Sequence, residues 1–241
     1  MHDDVAIIMY SHSSYSDAWD MFIGQTNKYF PGLKKYAFID SGPEKLPSEW
    51  EVVQYEEALP YNQRFAYGLE QVTTKYCILH HEDMPLYAPP NMDKINEYIQ
   101  LLEEDEELHY IKLIKGGEMR QIPYKTLRDV FVIPHNSQYI FAVQPTIWKT
   151  DKLRIVYEKT QVTHIREFEP LSQYTCREND IHGAYCYNYE PRRGMHHFDS
   201  SVYPYIATAI VKGQWNLSEY RKELLPLLAH YKIDTEKRGS V

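Results

Sequence analysis

Cysteine is scarce in this chain of 241 residues: Cys77, Cys176 and Cys186 are the only three. An odd, sparse set gives no disulfide framework, so a reducing compartment is expected. No Cys-x-x-Cys pair is present to form a common structural zinc site. Long apolar runs are missing too, and none approaches the roughly 20 residues a membrane helix needs. The opening Met1-His2-Asp3-Asp4 is acidic, unlike the basic start of a signal peptide. These absences predict a cytoplasmic protein with no transmembrane segment. Basic excess is also lacking. The formal net charge is -8, and the clearest charge run, Glu103 to Glu107, is acidic and reads as a solvated helix end. A nucleic-acid partner is therefore not expected. Neither a Gly-x-Gly-x-x-Gly loop nor a Walker lysine follows the first apolar run. Repeats, low-complexity tracts and linker-like stretches are absent, so one domain is expected over residues 1–241.

Tyrosine, by contrast, is abundant, at 22 residues. Its apolar ring and polar tip suit carbohydrate surfaces and protein interfaces alike, so it decides nothing alone. Val5 to Ser11 is a continuous apolar run, the pattern of a strand buried on both faces of a parallel sheet. Helical spacing follows over residues 13 to 30, at Trp19, Phe22 and Ile23. Further strands are predicted at Tyr36 to Asp40, Trp50 to Tyr55 and Tyr76 to His80, and helices at Asn62 to Val72 and residues 91 to 104. This alternation predicts an α/β fold with a doubly wound, mostly parallel sheet flanked by helices. The second half is less regular. Ile111 to Ile114, Phe131 to Ile133 and Ile140 to Val143 read as short strands. Lys149 to Tyr157, residues 170 to 183 and Trp215 to Tyr231 read as helices, and residues 235 to 241 as a frayed tail.

Four constellations carry possible chemistry. His80-His81-Glu82-Asp83 closes a buried strand, and open α/β sheets bind ligands outside the carboxyl ends of their strands. Adjacent acids there are costly without a counter-charge, which a divalent cation supplies; a polar strand end making turns is the plain alternative. Ser11-His12-Ser13-Ser14 is a small polar loop that either holds a nucleotide by its amides and hydroxyls or caps a helix. Phe141 to Lys149, centred on Gln144-Pro145-Thr146, precedes two candidate bases, Glu167 and Glu169. Met195-His196-His197-Phe198-Asp199 offers two histidines to a metal, or two inert surface side chains.

In this order the pieces resemble GT-A-type nucleotide-sugar glycosyltransferases, similar to those of bacterial and viral surface-polysaccharide clusters. The resemblance covers roughly residues 5 to 217 and rests on four segments. They are the opening strand Val5 to Ser11; Tyr76 to Asp83, ending in an acidic motif related to Asp-x-Asp; Gln144-Pro145-Thr146-Ile147-Trp148-Lys149 with Glu167-Phe168-Glu169; and Ala209 to Trp215, with its Lys-Gly-(polar)-Trp pattern. Arg166 stands where the pattern has Trp, and His81-Glu82-Asp83 replaces Asp-x-Asp.

The resemblance implies a GT-A-like fold, with a nucleotide-sugar-binding half over about residues 1–90 and an acceptor-binding half over about 91–241. It implies transfer of a hexosyl or deoxyhexosyl group to a glycan or lipid-linked sugar in polysaccharide biosynthesis, by inverting displacement. Mn²⁺ or Mg²⁺ would be held by Asp83 and Glu82, with His196 and His197 closing over the diphosphate. Tyr10, Ser11, His12, Asp40, Arg64, His81 and Lys212 are expected around the donor. Glu169 is the expected general base, with Glu167 as fallback. Alternation along an extended segment would put both on one side, with Phe168 inward. Pro170 would then open a helix, with Glu169 at its N-cap edge. Two alternatives stay open. One is a GT-A-like carbohydrate-binding or scaffold protein without activity. The other is a metallophosphoesterase using His80, His81, Asp83, His196, His197 and Asp40.

Overall fold

A computed structural model describes residues 4–162, 165–194 and 197–241. Strand β1 (Val5–Tyr10) is buried at all six positions. It pairs in parallel with β2 (Lys34–Ile39) and β4 (Tyr76–His81), and β3 (Glu51–Gln54) extends the sheet beyond β2. Its side chains alternate between two cores. Ala6, Ile8 and Tyr10 face one, whereas Val5, Ile7 and Met9 face the other side. Such two-sided burial is why β1 reads as an unbroken apolar run.

The first face is covered by α2 (Tyr61–Glu70), with α4 (Thr150–Lys159) and α5 (Ile165–Glu178) packed beside it. The second is covered by α1 (Trp19–Tyr29) and α3 (Met92–Glu104). Helix α6 (Leu217–His230) adds a smaller core with Met21 of α1. A short 3-10 turn, Ser13–Ala18, connects β1 to α1, and another, Pro43–Lys45, follows β2. No helix among the described residues is long and apolar enough to cross a membrane.

The second half completes the sheet with β5 (Tyr110–Lys112), β6 (Ile122–Pro123), β7 (Val130–Val132), β8 (Thr146–Lys149) and β9 (Gly183–Cys186). The nine strands lie in the order β3-β2-β1-β4-β8-β5-β9-β7-β6. Strand β8 is inserted antiparallel to both β4 and β5, while β9 runs parallel to β5. Outside this sheet, β10 (Arg192–Arg193) pairs with β11 (His197–Phe198) and β12 (Ile210–Val211) with β13 (Gln214–Trp215), and isolated bridges join Leu86 with Tyr205, Gly116 with His197 and Trp215 with Ser240.

Three expectations are corrected. The strand expected at Ile140 to Val143 is a loop. The Gln173 side chain accepts from the Phe141 N–H at 2.9 Å and donates to its C=O at 2.7 Å, satisfying groups that a neighbouring strand would otherwise bond. The strand lies just beyond, at β8. The helix expected from residue 170 begins at Ile165, so Pro170 lies inside it. The buried stripe Phe168, Ser172, Thr175 and Cys176 has helical spacing across that proline. The tail is not frayed. Trp215 N–H donates to Gly239 C=O at 3.0 Å and Val241 N–H to Trp215 C=O at 3.0 Å, while Arg238 forms an ion pair with Asp17.

Candidate functional site

The carboxyl ends of β1 and β4 lie side by side, with Tyr10 in register with His81. After β1 the chain turns sharply at Ser11, which is 1% exposed. Its hydroxyl accepts from Trp19 Nε1–H at 2.7 Å and its carbonyl from the Tyr55 hydroxyl at 2.8 Å. His12 caps the 3-10 turn: its Nδ1 accepts from Ser14 N–H at 3.1 Å. Asp40, just past β2, braces the same loop. Its two oxygens accept from Ser13 N–H at 2.6 Å and Ser13 Oγ–H at 2.7 Å. Partial burial pushes the Asp40 carboxyl up, but these Ser13 bonds prevail and hold it below its ordinary value. The loop after β1 is thus a capped, pinned turn. Arg64 of α2 donates to the Leu59 carbonyl at 2.7 Å and stacks over Tyr55, beside Tyr10.

His80 and His81 diverge, as neighbours on a strand must. His80 is buried in the core, where its Nε2 pairs with the Tyr203 hydroxyl at 2.8 Å. His81 points the other way, near Tyr10 and Phe65, with Tyr61 Oη at 3.4 Å. Burial drives both below the usual histidine range, to about 3 and about 4, so both are neutral. Among the described residues, His80, His81 and Asp83 do not come together as a two-metal arrangement.

Glu82 and Asp83 follow in a turn closed by Met84 N–H on the His81 carbonyl at 3.1 Å. Glu82 is 6% exposed. Burial, then the neighbouring Asp83 charge, pushes its carboxyl well above the ordinary range, against hydrogen bonding from Ser11 and the nearby Arg238 charge. Asp83 is pushed up to about 7 by burial, despite a bond from the Ile210 backbone. Two adjacent carboxyls that resist ionising together form an electrostatic hole for a cation. Their oxygen donors fit a hard ion such as Mg²⁺ or Mn²⁺. Among the described residues, the three-ligand groups are His12–Asp40–Glu57 and His135–Asp180–His182, so Glu82, Asp83 and His197 do not form one.

Beside the acids lies a cavity of about 640 Å³. Met84, the residue after Asp83, lines it, as do Ala207 and Thr208, which lead into the Ala209 and Ile210 amides bonded to Asp83. Glu169 is on its wall, with Oε1 accepting from Val143 N–H. Glu167 and Glu169 lie within α5 rather than on an extended segment. At roughly 100° per residue they project to different sides, which removes the predicted alternation. Phe168 is buried between them. His197 reaches the same cavity and pairs through Nε2 with the Tyr220 hydroxyl; His196 lies outside the described residues.

Lys212 is exposed at the β12–β13 hairpin tip, where its φ of 51° and the 82° of Gly213 form a two-residue turn requiring left-handed backbone. The positive charge acting on Glu82 comes instead from Arg238. Its guanidinium grips Asp17, with Nε at 2.6 Å, and donates to Ser14 C=O at 2.9 Å. A second cation missed by the sequence reading is Lys112, 1% exposed at the end of β5. It lines the cavity and donates to the Tyr139 carbonyl. Burial lowers it to about 8, opposed by the nearby Glu169 charge. A lysine inside an apolar strand run was the available signal. Arg238 had none, because only folding returns the tail to the first loop.

This sheet, with an acidic turn beyond the strand next to β1, has the GT-A-like α/β fold of nucleotide-diphospho-sugar transferases. CMP:2-keto-3-deoxy-manno-octonic acid synthetase, complexed with CTP, superposes with a TM-score of 0.51 at 11% identity, covering 76% of this chain and 88% of that one. Residues 1–349 of S. aureus TarS superpose with a TM-score of 0.50 at 13% identity, covering 82% of this chain and 60% of that one. The TarS complex with UDP-GlcNAc gives 0.49 at 13% identity, over 80% and 57%. The chain therefore spans less than two thirds of the TarS fragment. No protein-family model and no curated protein matches the sequence.

Proposed function

We propose that this chain is a glycosyltransferase that moves a hexosyl or deoxyhexosyl group from a nucleotide-sugar donor to a hydroxyl of a glycan or lipid-linked sugar. The pair formed by buried Glu82 and half-buried Asp83 just past β4, one residue from the wall of the 640 Å³ cavity, carries this reading. The donor lies over the carboxyl ends of β1 and β4, against the loop from Ser11 to Ala18, and the acceptor enters the cavity.

The acceptor oxygen attacks the anomeric carbon as the bond to the diphosphate oxygen breaks, and the leaving diphosphate keeps that electron pair. Inversion follows from a single displacement. Glu169 accepts the acceptor proton; the Val143 N–H orients its carboxylate through Oε1. Asp83, with Glu82 behind it, would hold Mg²⁺ or Mn²⁺, which would neutralise charge on the diphosphate. Lys112 and Arg238 bring further positive charge to the two sides of the reaction space. The donor and acceptor parts correspond to about residues 1–90 and 91–241, working as one unit.

Nucleotidyl transfer is the second reading, because a fold neighbour binds CTP. The loop from Ser11 to Ala18 disfavours it, since it has neither glycine nor lysine or arginine to cradle a triphosphate. Incubation with a panel of UDP-, GDP-, TDP- and CMP-sugars and Mn²⁺ separates the readings. Nucleotide release with sugar transfer to an added acceptor is expected. Pyrophosphate release from a nucleoside triphosphate would establish nucleotidyl transfer instead. Phosphate release from simple esters would favour a phosphoesterase, and no product from any substrate would favour a scaffold.

A further inference from the structure

The geometry points to a second metal site, for Zn²⁺ or a similar borderline divalent cation, formed by His135, Asp180 and His182. It lies at the opposite end of the strands from the acid pair. His182 immediately precedes β9 and His109 precedes β5, so these are the entry ends of strands whose exit ends lead towards the cavity. One ligand atom from each of the three side chains lies within 4.8 Å of the other two. The His135 and His182 rings are 4.5 Å apart between centroids, at 37°.

Two observations distinguish this group from a chance surface cluster. The first is that Nε2 of His135 is buried and has no hydrogen-bond partner among the described residues. An unpaired buried ring nitrogen is costly, and a metal bond would remove the cost. The second is that all three backbones are fixed. Arg177 Nε donates to the His135 carbonyl at 3.0 Å. Asp180, two residues past α5, is in a left-handed conformation, φ 47°, with its N–H on the Arg177 carbonyl at 3.3 Å. His182 is joined to His109 twice, through His109 N–H to the His182 carbonyl at 2.9 Å and His182 N–H to His109 Nδ1 at 3.0 Å. Ligands held this way need little reordering on binding.

Two imidazoles and one carboxylate suit Zn²⁺ better than Mg²⁺ or Ca²⁺, which favour all-oxygen shells. Three protein ligands leave a fourth position to water. The exposed Asp180 and His182 give the ion a route in. Bound there, it would tie the end of α5 to the strand edge.

The test uses the intact chain, stripped with EDTA and titrated calorimetrically with Zn²⁺, with Co²⁺ absorption as a second readout. Loss of an outer-shell partner alone costs about 10–100-fold in metal affinity. His182→Gln and Asp180→Asn should therefore each weaken one Zn²⁺-binding event by at least about 10²-fold and abolish the tetrahedral Co²⁺ bands. Asp83→Asn should leave that event in place. His135→Ala should behave like His182→Gln if it folds, and the two exposed variants decide the matter if it does not. Unchanged Zn²⁺ stoichiometry and affinity in both exposed variants would overturn the site. So would the absence of any Zn²⁺ event in the wild-type chain that survives Asp83→Asn.

Discussion

Glu82 and Asp83 are neighbours in sequence, yet their chemistry comes from what surrounds them. Folding raises both carboxyls, so between its ordinary value and about 7 the folded chain holds a proton on Asp83 that the unfolded chain has released. Stability from that proton is complete at acid pH and lost as pH rises through about 7. Neutral His80 and His81 act oppositely, but their effect ends near the ordinary histidine value of about 6.5. The melting temperature of the metal-free protein should therefore fall from pH 6.5 to 8. Mn²⁺ should offset the fall, and Asp83→Asn should flatten it. A slope unchanged in Asp83→Asn would remove Asp83 as its source. Glu169 makes a separate forecast. Glu169→Gln keeps size and removes basicity, so transfer should drop by at least about 10²-fold with donor affinity intact. Glu167→Gln, on a different side of α5, should turn over nearly as the parent does. A collapse in Glu167→Gln alone would move the base there.

At the scale of elements, α2 is placed by a residue it lacks a side chain for. Gly68 lies against Phe38 of β2, and a Cβ there would come within 2.5 Å of the ring. On an exposed helix, Gly→Ala gains up to about 1 kcal/mol. Here the overlap should reverse the sign, and Gly68→Ala should cost about 1–3 kcal/mol in urea unfolding. The tail is a second device. Arg238 holds Asp17 with two hydrogen bonds, and both side chains are largely shielded from solvent. Arg238→Ala leaves that carboxylate unpaired, at about 1–3 kcal/mol or more. It also frees the loop from Ser14 to Asp17, so nucleotide affinity should fall alongside stability. Arg238→Lys should rescue little, since an ammonium cannot reproduce the two-pronged grip. Wild-type nucleotide affinity in Arg238→Ala, measured by calorimetry, would confine the tail to a structural role.

Across the whole molecule, a single nine-stranded sheet joins the two halves through the antiparallel β8 between β4 and β5. Trp19 and Trp50 are buried in the first half, Trp148 and Trp215 in the second. If the chain is one unit, tryptophan fluorescence and far-ultraviolet circular dichroism should report one coincident urea transition. Separated midpoints would divide it.

The first half was legible in sequence because β1 and β4 are short, largely apolar on both faces and each leads on to an amphipathic helix, so local pattern and tertiary role coincide. Val5 to Ser11 and Tyr76 to Asp83 show this, and they placed the acid pair at a strand end. The second half was less legible because its polar groups are satisfied over long sequence distances. Gln173 replaces a strand neighbour for Phe141, and burial of Phe168 with Cys176 carries a helix across Pro170. Sequence alone determined the α/β class and which acids follow β4. Only the tertiary structure decided that Lys112 and Glu169 share a cavity, that Arg238 returns to the first loop, and that His80 and His81 part company. Those relations depend on which distant surfaces exclude water from one another, and no local periodicity encodes that.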